Sequence, residues 1–450
     1  MLVRLILNNV FSFGIEKEFN MLPLSRLRRL KEHTYNCNGL DVLKLASIYG
    51  ANGAGKSNLI KGLSVLKKFI VNENSIISDN TEFKFNETED SQKFVIEFFT
   101  DEKFFIYGVE IFKNIVLNEE LYLSDPIKGN DELIFERSTD YETKNIKINS
   151  VYLEKDIEGK TLKRIIEKNL AKSNKSIFKL LTTLDNENLE IVKIALNWFT
   201  NQLVILTPSS RAGALADRID KKEEFKFYIE NLMKSFHIGI DSLESEKKSI
   251  KEYFGEDNLE GITNLISEFE STDNKMIALG NEKSEILLVK EDNDIFVKEL
   301  KVCHLGKNNK RVLFNLDEES DGTIRLLDFA PAFQDIINKP KVYVIDEIER
   351  SIHPLLIKQL IEKFSYDTES KGQLLFTTHE SNLLDQDIFR QDEIWFAEKD
   401  KNGSTDLYSL SDFKEHNTID IRKGYLNGRY GSIPFLGNLK DLNWHLDENN

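Results

Sequence analysis

Cysteine is nearly absent from this sequence: Cys37 and Cys303 are the only two in 450 residues, and they form no CxxC-type pair. A disulfide scaffold or a structural zinc site needs more ligands, and His304 beside Cys303 does not complete a set. Long apolar runs are missing too. The longest, within KVYVID and GQLLFT, are strand-length and far short of a membrane span. The opening MLVRLILNNVFSFGIEKEF carries charges throughout and has no apolar core of signal-peptide length. The expected location is therefore the cytoplasm, with no membrane contact. Sustained heptads, internal repeats and long low-complexity linkers are absent, which argues against a long coiled coil. Surplus positive charge is also lacking: the net charge is −16, whereas a free-standing nucleic-acid binder is usually basic. Any nucleic-acid contact should be local or supplied by a partner. The local candidate is SRLRRLKEH, with Arg26, Arg28, Arg29 and Lys31, whose ordinary reading is a solvated face beside the N-terminal strand.

What the sequence does have is SIYGANGAGKSNLIKGL, residues 47–63. Gly50, Gly55, Lys56 and Ser57 fit the spacing G-x-x-x-x-G-K-[ST]. Before them LKLASIY reads as a short buried strand; after them Leu59, Ile60, Leu63, Leu66, Phe69 and Ile70 recur at helical spacing. In a strand–loop–helix of this kind, backbone N–H groups wrap a phosphate chain and the helix dipole faces it. Lys56 would reach the β and γ phosphates of ATP, and the Ser57 hydroxyl would ligate Mg2+. The nucleotide-contacting candidates are Gly50, Asn52, Gly53, Gly55, Lys56, Ser57 and Asn58.

Three further segments supply partners for that loop. In PKVYVIDEIERSIHPLL, Val342 to Ile345 read as a buried parallel strand ending in Asp346 and Glu347. Sites in open α/β sheets lie beyond the carboxyl ends of strands, so Asp346 would hold the Mg2+ shell and Glu347 would polarise the attacking water. Pro354 then opens a helix. In KGQLLFTTHESNLLD, Leu374 to Thr377 read as another buried strand, and His379 at its carboxyl end could donate to a γ-phosphate. In NLDEESDGTIRLLDFAPAF, Ser320, Gly322 and Thr323 open a helix whose N–H groups would suit an anion, although an ordinary N-cap uses the same residues. One nucleotide already has its cradle at Gly50–Ser57. The second helix start is simplest to understand as a cap on the nucleotide of another copy of the chain.

The order of phosphate loop, ESDGT segment, IDEIE strand and TTHES strand resembles an ABC-type ATPase head of the SMC-like class. More narrowly it is similar to the AAA-type ATPases of bacterial anti-phage systems, the RloA-, AbiL-, PARIS- and OLD-like ATPases. The narrower match rests on NNVFSF, GANGAGKSNL, EESDGTIRLLD, IDEIERSIHPLL, TTHESNLLD, DEIWFAEKD and YLNGRYGSIPFLGNL. These cover both ends of the chain well and the middle poorly. The resemblance implies that Ser320 and Gly322 match the signature that touches the γ-phosphate of the opposite subunit. It further implies that Asp346 and Glu347 match the Mg2+-binding and catalytic acids, and His379 the switch histidine. Ser351 to His353 fall where such heads communicate across a dimer. A glutamine loop has no clear match; Gln92 and Gln202 are the candidates.

The fold class expected is α/β: an ABC-type P-loop ATPase head, with a mixed sheet flanked by helices, an antiparallel β subdomain and an inserted mainly helical domain. Residues 1–150 should form half of the head, with FVIEFFT, FFIYGVEIF and LIFERS as antiparallel strands. Residues 151–300, rich in lysine and glutamate, should be the helical insertion, and residues 301–450 the rest of the head. Asn402–Gly403 should turn a hairpin. The implied function is an ATP-hydrolysing sensor and scaffold in abortive-infection defence, forming at least a homodimer. No nuclease-like carboxylate cluster stands outside the ATP site, so the effector (a nuclease or toxin) belongs to another chain, and a phage protein is the implied trigger. A DNA-repair ATPase and a nucleotide-gated scaffold with little turnover are the alternatives, with an ABC transporter subunit behind them.

Overall fold

The computed structural model describes residues 1–86, 89–255, 266–267, 269, 276–280, 285–291, 294–413, 415–416 and 419–433. Of the closing segment GRYGSIPFLGNL, Pro434 onward lies outside the described residues. The chain divides into two compact units, one of residues 1–205, 340–347 and 365–450, the other of residues 206–339 and 348–364.

The first unit holds the strands expected near the N-terminus. Gln92–Thr100, Lys103–Phe112, Ile115–Asp125 and Asn130–Thr139 pair antiparallel in a seven-stranded sheet that also takes in Leu2–Asn8 and Lys17–Asn20. Phe94, Ile96 and Phe98 are fully buried and alternate with the less buried Val95, Glu97 and Phe99, so the period of two read from the sequence marks the core face. A second, six-stranded sheet runs in the order Leu203–Leu206, Val342–Ile345, Gln373–Thr377, Leu45–Tyr49, Ile394–Lys399, Thr405–Ser409. Its four middle strands are parallel, and Thr405–Ser409 turns back antiparallel across the Asn402–Gly403 hairpin. All five residues of Leu45–Tyr49 are buried, as a parallel strand covered on both faces requires. The helix Lys56–Val71 buries Leu59, Ile60, Leu63, Leu66, Phe69 and Ile70. These six positions are the apolar set read at helical spacing.

The division differs from the boundaries read at 150 and 300. Residues 157–202 are mainly helical, but they belong to the first unit, because their aromatic faces complete its core. Trp198 stacks on Phe98 with ring centroids 4.6 Å apart, and Phe178 lies 5.2 Å from Tyr107. The second unit holds strands as well as helices. Ile240–Ser249, Asp294–Leu305, Glu285–Glu291 and Met276–Gly280 form an antiparallel sheet, with Arg311–Asn315 paired to its longest strand. The sequence IDSLESEKKS is full of helix formers, yet Leu243 paired opposite Val302 is fully buried; cross-strand packing overrides local propensity. The helix Asp321–Asn338 also belongs here, buried along most of its length.

Candidate functional site

Strand register builds the site in the first unit. Ile345 pairs with Phe376, and Thr377 with Ile48, so three parallel strands end side by side. Beyond their carboxyl ends come Asp346–Glu347, Thr378–His379 and Gly50 of the loop, placed together by pairing alone. Thr377 Oγ1 donates to Asp346 Oδ1 at 2.6 Å, and Ser57 Oγ donates to the same oxygen at 3.0 Å. Asp346 is buried, held from a neighbouring strand by Thr377 and from the loop helix by Ser57. Glu347 is half-buried, with φ +51°, a left-handed conformation that is uncommon outside glycine. Its N–H donates to Thr377 Oγ1 at 2.8 Å. One threonine thus fixes both acids: it orients the Asp346 carboxylate and pins the turn that carries Glu347.

Lys56 is buried, and its ammonium donates to Gly50 O at 2.8 Å and Ala51 O at 3.2 Å. His379 Nδ1 lies 3.3 Å from the same nitrogen, in acceptor range for the neutral ring, while the imidazole itself is exposed. Among the described residues no acceptor meets the backbone N–H groups of Asn52, Gly53, Gly55 or Ser57. Four free donors at a loop and helix start suit a bound anion. The Ser57 hydroxyl beside the Asp346 carboxylate offers the oxygen ligands that a hard cation such as Mg2+ takes.

The loop glycines have separate reasons. A Cβ on Gly50 would come within 2.5 Å of Ala397 O, and one on Gly55 within 2.0 Å of Thr405 Oγ1. Both are needed for packing against the hairpin. Only Gly53, at φ +80°, would put its Cβ in open space. Thr405 Oγ1 also donates to Ala54 O at 2.9 Å and to Ser12 Oγ at 2.7 Å, so residues from both ends of the chain brace the loop. These braces and Thr377 were missed in the sequence; the threonine pair before His379 was the available sign. Gln92 and Gln202 have structural partners instead: Gln92 Oε1 accepts from Thr81 Oγ1 at 2.5 Å, and Gln202 Nε2 donates to Thr100 Oγ1 at 2.8 Å.

Ser320 and Gly322 belong to the second unit. Ser320 caps the helix Asp321–Asn338, its Oγ accepting from Thr323 N at 3.1 Å. A Cβ on Gly322 would meet Ser351 O at 2.7 Å, so glycine lets the helix start pack on the turn that follows the acidic strand. Ser351 itself is exposed and left-handed at φ +63°. Beside this helix start a cavity of about 120 Å3 is lined by Arg211, Arg325 and Arg350 with Ser209, Ser210 and Ser351. Burial pushes the Asp328 carboxyl in its wall upward, while the Ala212 N–H and Arg211, 3.3 Å away, draw it back.

Residues 45–385 match the family described as "AAA domain, putative AbiEii toxin, Type IV TA system", well over half of the chain. No curated protein matches it. Similar solved structures include the "SMC head domain from Thermotoga maritima", 12% identical, covering 91% of this chain and 98% of that one at a TM-score of 0.37. Another is the "SmcHead bound to the C-winged helix domain of ScpA", 10% identical, covering 92% and 99% at 0.43. A third is the Smc head domain "with an extended coiled coil bound to the C-terminal domain of ScpA derived from Pyrococcus furiosus", 15% identical, covering 95% and 99% at 0.41.

Proposed function

This chain belongs to the AAA-domain family of P-loop ATPases, and from that premise we propose that it binds and hydrolyses ATP as the sensing subunit of a bacterial anti-phage system. It would control a separate effector, a nuclease or a toxin, in the manner of the RloA-, AbiL- and PARIS-like ATPases that its motifs resemble. The observation that carries the reading is the meeting of Ser57, Asp346 and Thr377 on one carboxylate, with Glu347 next in the chain. In this reading the free loop N–H groups hold the phosphates, and Lys56 leaves the Gly50 and Ala51 carbonyls for the β and γ oxygens. Ser57 and Asp346 would hold Mg2+, which when bound neutralises phosphate charge. Glu347 takes a proton from the water whose oxygen attacks the γ-phosphorus, and the bond to the bridging oxygen breaks to release ADP. His379 steadies the transferred phosphoryl oxygens.

The working unit is at least a homodimer. Each chain has one phosphate loop and one further anion-suited helix start at Ser320, set beside an arginine-lined cavity. In a two-fold pair each chain gives its loop to one ATP and its Ser320–Gly322 start to the other. The family description favours a second reading, in which this chain is itself the toxic component. Growth arrest on expression of this chain alone would favour that reading over a separate effector.

Mixing two inactive variants tests the dimer. Ser320→Arg should bind ATP but not turn it over, because bulk and charge block the shared γ-phosphate. Lys56→Ala should lose ATP binding. Mixed together they should regain turnover at one site per pair, and no regain at any ratio would refute the shared site.

A further inference from the structure

The arginines of SRLRRLKEH line a cavity that the ATP site does not use. It measures about 270 Å3 and is walled by Arg26, Arg28, Arg29 and Arg390, with Gln386 and Phe389. The cavity lies at the other end of the sheet from the phosphate loop. Residues 386–391 precede the strand Ile394–Lys399, whose first residue pairs in parallel with Ser47, whereas the loop follows Tyr49. No carboxylate lines it, in a chain of net charge −16.

The four guanidiniums are not equivalent. Arg390 is structural: Nε and Nη2 grip Asp392 at 2.9 and 2.8 Å, and Nη1 donates to Arg29 O at 3.0 Å. Asp392 also accepts from Leu24 N at 2.8 Å, so this pair fastens the arginine segment to the turn before the strand. The Arg29 guanidinium pairs with the exposed Asp387 at 2.8 Å. Arg26 donates to a carbonyl, Ser411 O, and pairs with no carboxylate among the described residues. Arg28 is exposed and has no hydrogen-bond or ionic partner among them. Two uncompensated guanidiniums therefore share one concave site, and each presents a fork that matches phosphate oxygens.

Size and charge narrow the ligand. The cavity holds about nine times the ~30 Å3 that a liquid water occupies, and falls just below the ~300 Å3 at which pockets for drug-sized molecules begin. A phosphate with a sugar-sized group fits within it. Two unpaired cations balance a phosphate monoester, which carries nearly two charges at neutral pH, better than a diester, which carries one. We propose that this cavity binds a terminal phosphate monoester, the group carried by a sugar phosphate or by the 5′ end of a nucleic-acid strand.

The test uses the full chain, 3′-labelled single strands ending in 5′-phosphate or 5′-hydroxyl, and ribose 5-phosphate followed by calorimetry. Arg28→Gln and the double variant Arg26→Gln/Arg28→Gln are compared with the unsubstituted protein. Arg28→Gln removes a side chain that has no partner among the described residues, so it keeps the test valid if the double variant fails to fold. If nucleic acid is the source, the 5′-phosphorylated strand should bind roughly tenfold or more tighter than the hydroxyl strand. If a metabolite is the source, only ribose 5-phosphate should bind. Either signal should fall at least severalfold in Arg28→Gln, with ATP binding unchanged. Equal affinity for both strand ends without ribose 5-phosphate binding would overturn the proposal, and so would binding that survives the substitutions.

Discussion

Thr377 and Asp346 share a hydrogen bond of 2.6 Å, and the hydroxyl that donates it also receives the N–H of Glu347 at 2.8 Å. A threonine on one strand therefore sets both acids of the next. Thr377→Val keeps the shape of the side chain and removes both bonds. Its expected result is ATP binding within a few-fold of normal, with phosphate release slowed roughly tenfold or more. Thr377→Ser should restore most of the rate. Asp346 is buried, so the valine variant should also lose about 1–3 kcal/mol of stability. An unchanged rate would show that Thr377 does not position the acids.

The loop glycines should separate by stability. Gly55→Ala forces a Cβ to within 2.0 Å of Thr405 Oγ1 at φ +109°, so a loss of about 2 kcal/mol or more is expected in urea unfolding. Gly53→Ala meets nothing within 4 Å and bears only the left-handed backbone at φ +80°, about 1–2 kcal/mol. Adding Thr405→Ala to Gly55→Ala should recover part of the loss. Equal costs at the two positions would contradict the packing account.

The second unit should respond to acid through Glu291. Hydrogen bonds from Lys247 and Lys298 hold its carboxyl down at about 2. A folded value below the ordinary 4.5 means the unfolded chain binds the proton first. The stabilisation is complete above pH 4.5 and fades as pH falls toward 2. Glu291→Gln should flatten acid unfolding across that window. Lys298 itself is fully buried between Asp217, Asp220 and Glu291 at 2.7–2.9 Å. Lys298→Met would take the partner from Asp220, while Asp217 keeps Lys221 and Glu291 keeps Lys247, at a cost of about 1–3 kcal/mol at neutral pH, read as a lowered urea midpoint.

How much of this was legible depended on where the controlling contacts lie. The phosphate loop, the strand ending at Asp346 and the strand before His379 were readable because each is encoded within a dozen consecutive residues. Asp346 meeting Ser57 needed only the further rule that parallel strands present their carboxyl ends together. Thr377, Ser12 and Thr405 were not readable, since their roles come from register and from contacts across most of the chain. Within residues 151–300, read as mainly helical, Ile240–Ser249 is a strand for the opposite reason. Its lysines and glutamates favour helix locally, and only pairing with Asp294–Leu305 makes Ile240–Ser249 a strand.

The most direct test of the central claim is phosphate release by Glu347→Gln, measured beside ATP retention by the same protein. The substitution keeps the size of the side chain and removes the group proposed to accept the proton of the attacking water. Turnover should fall roughly 100-fold or more while bound ATP is retained as in the unsubstituted chain. Phosphate release at the normal rate from the Glu347→Gln protein would contradict the account.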